Sequence, residues 1–209
     1  MRIVAILLLS ATIARAEGEK AGAFDYYVLA LSWTPTWCAQ TGDARGAPEC
    51  RKDAEAGWTL HGLWPQYHRG WPSYCPTAKR PPPREMTRAM SDIMGSAGLA
   101  WHQWKKHGRC SGLSARAYFA LAREAFGRIE RPAVFAKLTR PVSLPARVVE
   151  AAFLEANPQL EPDMVTITCR DGRIHEARIC LSRGLAPVPC GQDTVRDCRL
   201  KDARLDPVR

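Results

Sequence analysis

Eight cysteines constrain this 209-residue chain more than any other feature of its sequence. They are Cys38, Cys50, Cys75, Cys110, Cys169, Cys180, Cys190 and Cys198. An even number of cysteines in an exported chain reads as four disulfides, each stabilising the fold by roughly 2–4 kcal/mol. A zinc cluster is the competing reading. It is disfavoured because no Cys-x-x-Cys pair occurs, and the closest two cysteines are Cys190 and Cys198.

Export is itself read from the first residues. Arg2 gives a short positive start, Ile3 to Leu9 an apolar run, and Ala14-Arg15-Ala16 a small-x-small site, the pattern of a secretory signal peptide spanning 1–16 and cut before Glu17. Residues 17–209 have the size of one domain, with no internal repeat, low-complexity tract or long polar linker. Later apolar stretches are broken by charges and prolines, so no transmembrane helix is expected. The expectation is a monomer in the periplasm or outside the cell. The formal charge is +9, falling to +7 when Arg2 and Arg15 leave with the leader. A basic chain attracts phosphates, although a basic surface also serves solubility alone.

Strand and helix signals alternate without a βαβ rhythm. Phe24 to Trp33 carries β-formers and ends near Pro35, and Trp58 to Leu63 is a second short strand candidate. Arg84 to Met94, after Pro81-Pro82-Pro83, reads as a helix. So does Ser114 to Arg128, with a serine cap and Tyr118, Leu121, Ala122 and Ala125 at helical spacing. Pro145 to Asn157 is a third, with Val148, Val149, Ala152 and Phe153 on one face. Val165 to Cys169 and Ile174 to Leu181 alternate around Asp171-Gly172, a hairpin turn pair. The class predicted is α+β, an antiparallel sheet packed with several helices in a single disulfide-bonded domain.

Two segments carry most of the chemistry: Trp58-Thr59-Leu60-His61-Gly62-Leu63-Trp64-Pro65, and Trp101-His102-Gln103-Trp104-Lys105-Lys106-His107-Gly108-Arg109-Cys110. Together they hold three of the five histidines. His68 and His175 stand apart from them and are read as structural residues. If the second segment is helical, Gln103, Lys106 and His107 share one face and His102 pairs with Lys106, a face suited to an anion. His102 and His107 are five apart and then point away from each other. The His-x-x-x-His pair of zinc hydrolases is absent, so neither metal nor cofactor is expected.

At these two segments the chain resembles the ribonuclease T2 family, whose active-site blocks read like Leu60-His61-Gly62-Leu63-Trp64-Pro65 and His102-Gln103-Trp104-Lys105-Lys106-His107-Gly108-x-Cys110. The resemblance covers most of the mature chain and, outside the blocks, rests on cysteine placement and the order of elements. It implies an α+β domain with both blocks lining one cleft. It also implies the pairs Cys75–Cys110, Cys169–Cys198 and Cys180–Cys190, which leaves Cys38–Cys50.

The implied activity is an endoribonuclease acting on single-stranded RNA and sparing DNA. Cleaving RNA without a metal requires a base for the ribose 2′-hydroxyl, stabilisation of a more negative phosphorus centre, and an acid for the departing 5′-oxygen. By resemblance His107 is the base, His61 the acid, Lys106 the charge stabiliser and His102 a phosphate ligand. The products are a 2′,3′-cyclic phosphate and then a 3′-phosphate. Trp64 matches a base-stacking ring, and Trp71 or Tyr74 is a candidate for the other side of a platform. Trp58, Trp101 and Trp104 are expected to pack around the blocks.

The chain departs from the family pattern at Gln103, where a glutamate is usual, at Arg109 for threonine, at Leu99-Ala100 for Phe-Trp, and at Gln66, often acidic. Three other functions compete. A non-catalytic RNA-binding or inhibitory protein needs the charge and disulfides but not the histidine pair, and a metal-dependent nuclease would be sensitive to EDTA. A phosphoesterase with two His-x-Thr/Ser motifs is excluded, because no histidine is followed two residues later by Ser or Thr.

Overall fold

A computed structural model describes residues 19–209. The leader assigned to 1–16 lies outside the described residues. The first strand, β1 (Tyr26–Trp33), is apolar nearly throughout because it lies inside the sheet, between β2 (Trp58–Gln66) and, further along the chain, β5 (Arg173–Leu181), both antiparallel to it. Strand β2 runs three residues beyond its expected end, through Trp64, Pro65 and Gln66. Proline is tolerated there because β2 lies at the sheet edge, where a missing N–H costs no ladder bond.

Between these strands the chain forms a series of short helical turns from α1 (Thr34–Trp37) to Cys50, which the sequence pattern does not announce. The expected helix over Arg84–Met94 divides into α2 (Arg84–Arg88) and α3 (Ser91–Met94), separated at Ala89-Met90. Helix α4 (Ala97–Lys106) is capped by Ser96, whose Oγ accepts from Leu99 N–H, and α5 (Ala115–Arg128) by Ser114 in the same manner. Short β3 (Val142–Leu144) precedes α6 (Ala146–Ala156). On α6, Val149 and Phe153 are buried while Val148 is exposed, so its apolar face is narrower than expected.

The hairpin of β4 (Val165–Arg170) and β5 turns at Asp171-Gly172, both at positive φ, as predicted. Strand β6 (Ala203–Leu205) pairs with β3 and touches the start of β5. The result is the expected α+β architecture: a largely antiparallel sheet with helices on one face. Tyr27, Leu29, Leu31 and Trp33 point from β1 into the helix-covered core, where Trp58, Phe135 and Phe153 gather around Trp33. The other face of the sheet carries the cleft.

The domain has four disulfides, Cys38–Cys50, Cys75–Cys110, Cys169–Cys198 and Cys180–Cys190, the pairs that the resemblance implied. Cys75–Cys110 ties the loop after β2 to the turn after α4. Tyr118 reinforces that junction from α5 by donating its hydroxyl to the Leu63 carbonyl at 2.9 Å. Among the described residues no helix is long and apolar enough to cross a membrane.

Candidate active site

Two β-bulges shape the cleft. Along β1, Ala30 pairs with Gly62 and Leu31 with Leu60, so His61 is the extra residue of β2. Along β4, Thr168 pairs with Glu176 and Cys169 with Ile174, so His175 is the extra residue of β5. A bulge bends its strand and re-aims the side chain it carries. Here one bulge turns His61 out of the edge strand, and the other re-aims its neighbourhood on β5.

The second block arrives from the opposite wall. Helix α4 ends at Lys106, and His107 follows as its cap with φ −117°, though its N–H still donates to the Gln103 carbonyl at 2.9 Å. Gln103, Lys106 and His107 line one cavity of about 260 Å³ together with His61, Trp64, Gln66, Trp71, His102 and Arg178. His102 and His107 therefore share the cleft rather than pointing apart.

Trp64 lies between the two catalytic candidates. Its indole stacks on His107 with ring centres 5.2 Å apart, meets His61 edge-on at 5.1 Å, and donates Nε1–H to Gln103 Oε1 at 2.7 Å. Gly62 makes this possible, since a Cβ there would stand 2.4 Å from both Gln103 Oε1 and Trp64 Nε1. Gly108 has the same role behind the site, where a Cβ would meet the rings of Trp104 and Tyr118 at 2.8 Å. The glycine after each histidine is thus set by packing.

Electrostatics separates the two histidines. His107 is buried, and burial first, then Lys106, His61 and His102, pushes its pKa down to about 3, which leaves it neutral. His61 is partly exposed, and its Nδ1 lies 2.5 Å from Glu176 Oε1. Burial of Glu176 opposes its charge, yet the His61 hydrogen bond and charge, with Arg178 and His175, hold its carboxyl at about 2. His102 is lowered by burial and then by Lys106 and His61.

Glu176 and Arg178 escape the sequence reading. Strand β5 reads as an alternating hairpin arm, and nothing in its spacing distinguishes a buried carboxylate reaching the cleft from an ordinary polar position. His175, read as structural, lines a second cavity of about 610 Å³ with His61 and His102. His68 is exposed rather than a core residue. Trp71 is exposed and borders the first cavity, whereas Tyr74, also exposed, lines neither cavity and only ties its backbone N–H to the Lys106 carbonyl. Trp58 and Trp104 are core residues as expected, and Trp101 is 43% exposed.

The sequence profile of the Ribonuclease T2 family matches residues 24–190. A ribonuclease of Aeromonas hydrophila is 42% identical over 118 residues, covering 56% of this chain and 52% of that protein. A ribonuclease-like storage protein of Panax ginseng is 24% identical over 230 residues, 97% of this chain and 92% of its own. For most of the curated relatives it matches, the chain spans about half of their length. Among solved structures, an RNase-related protein from Calystegia sepium has the same fold, with a TM-score of 0.68 over 90% of this chain and 98% of its own at 19% identity. Profile, disulfides and fold agree that the chain belongs to the Ribonuclease T2 family.

Proposed function

We propose that this protein is an endoribonuclease that cleaves single-stranded RNA by transphosphorylation, using His61 and His107 and no metal. Family membership alone does not carry the activity, since one relative is named as a storage protein. The observation that carries it is the opposition of a buried, neutral imidazole at His107 and a carboxylate-bound imidazole at His61 across Trp64, with Lys106 beside them. One ring is free to accept a proton, and the other is held by a carboxylate at Nδ1, which turns its Nε2 toward substrate.

In this reading His107 takes the 2′-hydroxyl proton as the 2′-oxygen forms its bond to phosphorus. His61 protonates the 5′-oxygen as the bond from phosphorus to that oxygen breaks, leaving a 2′,3′-cyclic phosphate. Lys106 faces the charge that grows on the phosphoryl oxygens, and His102 holds the phosphate. In the slower second step the histidines exchange roles with water as nucleophile, giving a 3′-phosphate. DNA lacks the 2′-hydroxyl and survives.

Among the described residues the smaller cavity presents Lys106 and Arg178 and no acidic side chain, a lining that attracts phosphate. Trp71 is the exposed ring best placed to stack on a base. The four disulfides support a periplasmic or secreted location.

The test is cleavage of a defined RNA by the wild-type protein and by His61→Ala and His107→Ala. Each substitution is expected to lower kcat by about 10²–10⁴-fold while the circular dichroism spectrum is retained. A folded variant with near-wild-type turnover would remove the paired-histidine mechanism.

A further inference from the structure

Among the described residues the carboxylate that bonds a histidine of the site stands on a different element from the one where the family pattern puts it. At position 103 of α4 the chain carries an amide, committed to Trp64 Nε1. Glu176 on β5, 1% exposed, reaches the site from the far side of β1. It can do so because β1 is small where it must be crossed. Ser32 pairs with Glu176 on one side and Thr59 on the other, and Ala30 likewise separates Arg178 from Gly62. Ala30 and Ser32 leave a trough over which β5 side chains meet β2.

Both oxygens of Glu176 are engaged. Oε1 accepts from His61 Nδ1 at 2.5 Å, and Oε2 accepts from Arg178 Nε at 3.0 Å and Nη2 at 2.7 Å. A carboxylate held by a guanidinium accepts and does not donate, so the His61 proton at this contact belongs to Nδ1. The ring's other nitrogen, Nε2, is then left for substrate. His61 otherwise faces the cations Lys106 and Arg178 and the imidazoles of His102, His107 and His175. Across the larger cavity stand Arg45 and Arg170, with Glu49 as the single further acid among the described lining residues.

We propose that Glu176 is the positioning residue of the proton donor: it fixes the Nδ1–H form and the orientation of His61, so that β5 supplies the carboxylate that α4 lacks. Arg178 keeps that carboxylate ionised and in register. This rests on the ribonuclease reading of the same site, and two kinds of measurement separate the two.

The first compares leaving groups in Glu176→Gln. Glutamine cannot accept from both His61 and Arg178, because one of its two terminal atoms is a donor. With RNA, whose departing 5′-oxygen needs a proton, kcat/KM is expected to fall about 10²-fold or more. With a nucleoside 3′-(4-nitrophenyl phosphate), whose leaving group departs without one, the loss is expected to stay below ~10-fold. Equal losses on both substrates would overturn the proposal.

The second needs neither a variant nor activity. In ¹⁵N-histidine-labelled wild-type protein, Nδ1 of His61 should remain protonated on both sides of its titration while Nε2 gives up the proton. An Nε2–H neutral form would overturn the assignment even if the protein cleaves RNA. A wild-type protein that cleaves neither substrate would instead remove the ribonuclease reading, and the His61 tautomer would still decide the part played by Glu176.

Discussion

At the residue scale, the histidine pair owes its asymmetry to surroundings rather than to the imidazoles. His107 is buried among cations and held neutral down to about pH 3, so the acidic limb of kcat/KM, which reports the free enzyme, is expected well below the ordinary histidine range near 6.5. Gln103→Glu places a negative charge one turn before His107, favours its imidazolium, and should move that limb to higher pH; a limb that stays put or moves lower removes the electrostatic account of Gln103. The same burial links to stability. A histidine whose folded pKa is depressed contributes fully above about 6.5 and loses that contribution as pH falls toward about 3. Between pH 6.5 and 4.5, before carboxylates titrate, Tm should decline with falling pH, and His107→Asn should flatten that slope. An unchanged slope in the variant would mean that His107 is not held neutral by the fold. His61 and His107 were legible in the sequence because each sits in a dense local motif. Glu176 was not, since its meaning comes from a bulge and a trough that only strand pairing creates.

At the element scale, local signals translated well where one element's own sequence decides its form. Ser114 capped α5, Asp171-Gly172 turned the β4–β5 hairpin, and apolar periodicity located α6. Expectations failed where neighbours decide. The segment after Pro83 breaks into two short helices, and Val148 of α6 stays exposed beside buried Val149. The junction that matters for function joins β2 to the end of α4, and Cys75–Cys110 closes it. Replacing both cysteines with alanine should cost roughly 2–4 kcal/mol in denaturant unfolding, and activity should fall by more than the folded fraction does, because the two histidine walls lose their tie. Activity that tracked the folded fraction alone would show that the bond stabilises the domain without setting the site.

At the scale of the whole molecule, one sheet carries His61, Glu176 and Arg178 of the candidate site on one face and packs its helical core on the other, and a formal charge of +9 over the full sequence favours polyanions. Fold class, four disulfides and the two histidine blocks could be read from the sequence, while the disulfide pairing came through the family resemblance. The second cavity, the bulges and the β5 carboxylate required the assembled sheet. The central claim is that this site cuts RNA through a 2′-oxygen attack with no metal. It is tested most directly by mass analysis of the products from a defined single-stranded RNA incubated with the purified protein in EDTA. The account predicts fragments ending in 2′,3′-cyclic phosphate that convert slowly to 3′-phosphate, with the matching DNA intact. Fragments ending in 3′-hydroxyl, or cleavage abolished by EDTA, would contradict it.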